Sequence, residues 1–63
     1  MATDQSELSS LASLLDQLSH RAAAMGERAR AEKEEAVAHE LFQVERAIDG
    51  ARRRLKRLLE HGP

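Results

Sequence analysis

The sequence predicts an all-α protein: a two-helix antiparallel hairpin of coiled-coil type that associates into a four-helix bundle. Three observations carry this. The chain is made largely of Ala, Leu, Glu, Arg and Gln, which are strong helix formers. Its apolar residues fall into two blocks at heptad spacing. The blocks are out of phase, and Gly26 stands where the first one ends.

The first helix is expected over about 4–25. Asp4 or Thr3 can cap it, and Asp4-Gln5-Ser6-Glu7 has the spacing of a capping box with Asp in place of Ser or Thr. Its acids also sit at the positive end of the helix dipole. Leu8, Leu11, Leu15, Leu18, Ala22 and Met25 follow in steps of three and four. A turn is expected at about 26–30. The second helix is expected over about 30–60. There Val37, Leu41, Val44, Ile48, Ala51, Leu55 and Leu58 repeat the heptad. Basic residues in its last turn and Gly62-Pro63 beyond it form a stop signal. The offset between the two blocks is not a whole number of heptads, so one continuous helix would turn its seam away from its partner. A hairpin resolves the conflict, within a single domain spanning 1–63.

The expected hairpin core is Leu8, Leu11, Leu15 and Leu18 against Val37, Leu41, Val44 and Ile48, with Leu18 meeting Leu41, Leu15 meeting Val44 and Leu11 meeting Ile48. On this reading the second helix is the longer one, and Leu55, Leu58 and Leu59 overhang with nothing to cover them. Leu14 and Phe42 lie off the seam. Burying a Leu or Phe is worth about 1.5–3 kcal/mol, so these five residues are the expected oligomer or partner interface.

Composition limits the function. The chain has 63 residues and formal net charge -1, and no Cys, Trp or Tyr. It can form no disulfide framework, no thiolate zinc site and no Cys nucleophile. A single hairpin of this size buries too thin a core to be robust without a partner. No apolar run reaches the roughly 18 residues of a membrane span. No basic-then-apolar leader opens the chain, so a cytoplasmic location is expected. Arg outnumbers Lys eight to two and Ala is abundant, as in proteins of GC-rich bacterial genomes.

Charge is polarised along the chain. Residues 51–63 carry five basic and one acidic side chain, and residues 1–50 carry five basic and ten acidic. Arg52, Arg53, Arg54, Lys56 and Arg57 form a candidate anion-binding patch suited to phosphate or an acidic partner. The acidic remainder opposes close approach to nucleic acid, and no Tyr or Trp is available to stack on bases. Asp16/His20 and Glu35/His39 are spaced as chelating pairs, but both fall on outer heptad positions, so no metal is expected. Gly50, between Ala47 and Ala51, offers a place for another helix to approach closely.

No phosphate-binding glycine loop, activated nucleophile or inward carboxylate pair is present. No catalysis, cofactor or small-molecule substrate is therefore expected. The sequence reads as a non-enzymatic interaction or adaptor module, a homodimer or a partner for another helical protein, acting through its Leu/Val/Ile seams. The alternative is a small nucleic-acid-associated regulator using the basic helix end.

Overall fold

A computed structural model describes residues 4–61. Two α-helices of 27 residues each, α1 (Gln5–Ala31) and α2 (Glu35–His61), pack against each other as an antiparallel hairpin. The hairpin is a rod of 49 × 16 × 14 Å. The Thr3 cap and the Gly62-Pro63 stop lie outside the described residues.

The start of α1 follows from its cap. Asp4 has extended backbone, and its Oδ1 accepts from the amides of Ser6 at 2.9 Å and Glu7 at 3.4 Å. Two amides that the first turn leaves without helical partners are thereby satisfied.

The end of α1 lies six residues beyond the expected one, at Ala31 rather than Met25. The turn is Glu32–Glu34. Lys33 takes the left-handed conformation, with φ of 63°. The Lys33 amide donates to the Arg30 carbonyl at 3.0 Å, and the Glu34 amide donates to the Ala29 carbonyl at 2.8 Å. This pair of bonds is a Schellman motif, a closure usually built on glycine. Here lysine occupies the left-handed position, where a Cβ is disfavoured. The glycine signal at 26 therefore misplaced the turn.

Gly26 is instead buried within α1, in its C-terminal part. A Cβ built there would lie 2.9 Å from the Phe42 ring. The glycine is a slot for an aromatic side chain of the facing helix, so the cost of a helical glycine is offset by packing. Arg30, one turn further on, sits 5.6 Å from the centre of the same ring, within cation–π range. Its guanidinium also bonds Glu27 at 2.6 Å.

The helices meet along a different stripe from the expected one. On α1 the contact stripe is Leu8, Ala12, Leu15, Ser19, Ala22, Gly26 and Ala29, with half-buried Asp16 and Ala23 beside it. On α2 it is Ala38, Leu41, Glu45, Ile48, Arg52, Leu55 and Leu59, with half-buried Phe42, Asp49 and Gly50 beside it. Both stripes step by three and four, so each helix carries two interleaved heptads and the hairpin uses the one richer in small residues. Of the expected core, Leu8, Leu15, Leu41 and Ile48 are half-buried, whereas Leu11, Leu18, Val37 and Val44 are exposed. The expected pairing of Leu18 with Leu41 is replaced by a register with Gly26 against Phe42 and Ser19 against Asp49. Because the helices are equal in length, the expected overhang disappears. Leu55 and Leu59 are half-buried, and Leu59 shares a groove with Ser9 and Ala12.

These placements give opposite outcomes for two glycines. Gly26→Leu substitutes a better helix former, yet lowers stability by about 2 kcal/mol, because its side chain displaces Phe42. A Cβ at Gly50 meets only the Arg53 guanidinium, at 3.9 Å, so Gly50→Ala raises stability by about 0.5–1 kcal/mol. Lys33→Gly, relieving the left-handed lysine, is stabilising by a similar increment, about 0.5–1 kcal/mol. Urea unfolding of the three variants beside the parent measures all three signs.

Candidate association face

The closed core of the hairpin is small. Its buried hydrophobic residues are Ala22, Ala29 and Ala38, and no large side chain is fully buried. Meanwhile Leu11, Leu14, Leu18 and Met25 of α1 and Val37, Val44 and Leu58 of α2 are 44 to 54% exposed.

Helix geometry places these exposed residues together. Leu11, Leu14, Leu18 and Met25 each directly precede a seam residue: Ala12, Leu15, Ser19 and Gly26. Val37, Val44, Ala51 and Leu58 likewise precede Ala38, Glu45, Arg52 and Leu59. One step back along a helix turns about 100° in a fixed sense. The helices are antiparallel, so the two turns have opposite sense from any one viewpoint and reach the same side of the hairpin. The result is one apolar face along the rod. The half-buried Leu15, Leu41, Ile48 and Leu55 support it from beneath. Exposed Ala47 and the charged Glu7, Arg21, Arg28, Glu40 and Arg54 occupy the remaining preceding positions, with Glu7 and Arg28 at the ends of the α1 stripe and Arg21, Glu40 and Arg54 set among its apolar residues and those of α2.

The residues that follow the seam make the opposite side, which is largely polar, and two of them, Asp16 and Asp49, pair with seam residues. Ser19 is only 4% exposed, and its hydroxyl donates to Asp49 Oδ1 at 2.8 Å. Arg52 Nη1 donates to Asp16 Oδ1 at 2.6 Å and lies 3.7 Å from Asp49 Oδ1. The cluster joins α1 to α2 at two successive levels. Small seam residues could slide past one another, and this cluster fixes their register. Among the described residues no buried side-chain nitrogen or oxygen lacks a partner.

The sequence-level candidates are distributed unevenly over these two sides. Leu14 and Leu58 lie on the exposed apolar face. Phe42, Leu55 and Leu59, expected to contact another molecule, are drawn into the hairpin, Phe42 because Gly26 leaves room for its ring. Arg52 leaves the anion-binding patch for the interhelical cluster. Arg53, Lys56 and Arg57 line an open groove together with Glu60, and Arg54 stays exposed. Asp16 pairs with Arg52 in preference to His20, whose ring nitrogen is 4.0 Å away. Among the described residues, no group of three or more His, Asp or Glu gathers as a metal site, and no helix is long and apolar enough to cross a membrane.

The interhelical cluster escaped the sequence reading, although its signal was present. Ala12, Ser19 and Gly26 recur every seventh residue, as do Ala38, Glu45, Arg52 and Leu59. A hydrophobicity count skips such positions because they are small or charged. Comparison of the chain with protein-family models, with curated proteins and with solved structures finds no match.

The cluster has a measurable weight. Its side chains keep a third to a half of their exposure, so solvent weakens the ion pair, and Arg52→Ala costs about 0.5–1 kcal/mol. Ser19→Ala costs about 1 kcal/mol. In about 1 M salt, where charges are screened beyond about 3 Å, the Arg52→Ala loss shrinks while the Ser19→Ala loss persists. Equal losses for Arg52→Ala at low and high salt in chemical denaturation would refute an electrostatic role.

Proposed function

We propose that this protein is a non-enzymatic helical association module, with the apolar face as its working surface. The observation that carries the reading is the mismatch between a core closed only by alanines and seven half-exposed large apolar side chains on one side. Covering the remaining half of each at about 1 kcal/mol per residue would add several kcal/mol, a large share of what a small domain has in total. A mainly apolar face that runs the length of the rod, with charges at intervals along it, is suited to partner helices laid lengthwise, giving a four-helix arrangement. On the opposite, largely polar side Asp16 and Asp49 are already engaged by Arg52 and Ser19.

The alternative, nucleic-acid binding through the basic end, has support from the groove lined by Arg53, Lys56 and Arg57. It is the weaker reading. Arg52 is engaged with Asp16, and Glu60 shares the groove.

The test compares the parent chain with Leu14→Glu/Val44→Glu, measuring the size of the species that contains the tagged chain in extracts of the cells that make it. Both substituted side chains point out of the hairpin, so they leave the seam intact. The expected result is a shift to smaller species for the double variant, while Arg53→Ala/Arg57→Ala keeps the parent size. An unchanged size for Leu14→Glu/Val44→Glu would remove the face from its assigned role.

A further inference from the structure

We infer that the occupant of the apolar face is a second copy of this chain, packed face to face about a two-fold axis with the two loops at opposite ends. The inference rests on the reading of that face as an association surface.

The order of residues along the face carries it. On α1 the outward positions begin with Glu7, end with Arg28 and centre on Leu18, with Leu11 and Met25 at matching distances from the middle. Reversed and laid on itself, this stripe sets Glu7 against Arg28, Leu11 against Met25 and Leu18 against Leu18. On α2 the stripe centres on Ala47. Reversal sets Val37 against Leu58, Glu40 against Arg54 and Val44 against Ala51. In the α1 pair Leu14 also meets Arg21, whose aliphatic stem can lie along it, and in the α2 pair Ala47 meets itself. Each helix is therefore set against an antiparallel copy of itself with one opposite-charge pairing, Glu7 with Arg28 and Glu40 with Arg54, and apolar contacts at most other positions. A two-fold interface requires this self-complementarity, since every residue that meets a different one is met by it in return.

The two centres agree with one axis. Ser19 faces Asp49 across the hairpin, so Leu18 lies near residue 50 and within one turn of Ala47. A shared axis crossing both helices near their midpoints satisfies both stripes. The alternative two-fold dimer, with loops at the same end, lays each α1 on the partner copy's α2 and so uses neither self-matched stripe.

Size agrees as well. A rod face of 49 by 16 Å offers on the order of 800 Å² per partner, the footprint of a standard stable interface. Four helices of equal length then enclose the Leu and Val side chains that two helices leave half in water.

The experiment uses the purified full chain. Its sequence has no cysteine, so Glu34→Cys provides a unique spin-label site in the loop. Light scattering is expected to give twice the 7.0 kDa of one chain. Electron–electron spin distances are expected to place the two loops roughly 40–50 Å apart, from the rise of 1.5 Å per residue on either side of the axis. Separations under about 20 Å would overturn the opposite-end arrangement. A single-chain mass over the whole concentration range would overturn the second copy. If the purified chain is monomeric while its size in extracts still depends on Leu14 and Val44, the association surface stands and its occupant is a different protein. If neither size depends on the face, both readings fall together.

Discussion

Close approach of the two helices is the constraint on which the rest of the molecule depends. Ser19, Ala22, Gly26 and Ala29 on α1 have little side chain to hold α2 away. Gly26 goes furthest, admitting the Phe42 ring to a spot that a methyl group would already occupy. Short contact distance brings Ser19 within a hydrogen bond of Asp49 and Arg52 within an ion pair of Asp16. A Leu-on-Leu seam would separate the backbones and put these polar pairs out of reach.

That constraint has a second consequence. When small residues occupy the contact, the large ones must go elsewhere. The leucines one position back along each helix are displaced to a common side because antiparallel helices turn in opposite senses. The same local rule, one step before the seam or one step after it, separates an apolar face from a polar one. The hairpin is thus a single layer of two helices, and the proposed function and its proposed partner both supply the second layer.

Charge acts on this arrangement at two ranges. Within the hairpin, the Asp16–Arg52–Asp49 group fixes register where apolar contact alone would tolerate sliding. Along the apolar face each helix carries its acidic residue toward its start and its basic residues later, Glu7 before Arg21 and Arg28 and Glu40 before Arg54, so an approaching helical surface is sorted by direction as well as by shape. The basic run near the end of α2 is accordingly divided. Arg52 serves the fold, and Arg53, Lys56 and Arg57 face an open groove.

Helix content, the Asp4 cap and the existence of a hairpin were legible from local signals alone: helix-forming composition, a capping side chain at the correct spacing, and two apolar repeats that no single helix can reconcile. The turn was misread because local rules favour glycine in the left-handed position, whereas here Lys33 takes it and Gly26 is used for packing. Leu14 and Leu58 were recognised as uncovered, although Leu58 was credited to an overhang that does not exist. The seam was misassigned because each helix carries two heptads, and sequence periodicity favours the one with larger side chains. Choosing between them requires knowing what the other helix presents: a ring for the glycine, a carboxylate for the serine, a guanidinium for Asp16. Sequence by itself determined that two amphipathic helices would fold back on each other. Only the tertiary structure decided which stripe closes and which stays open, because that choice depends on complementarity between residues more than fifteen positions apart.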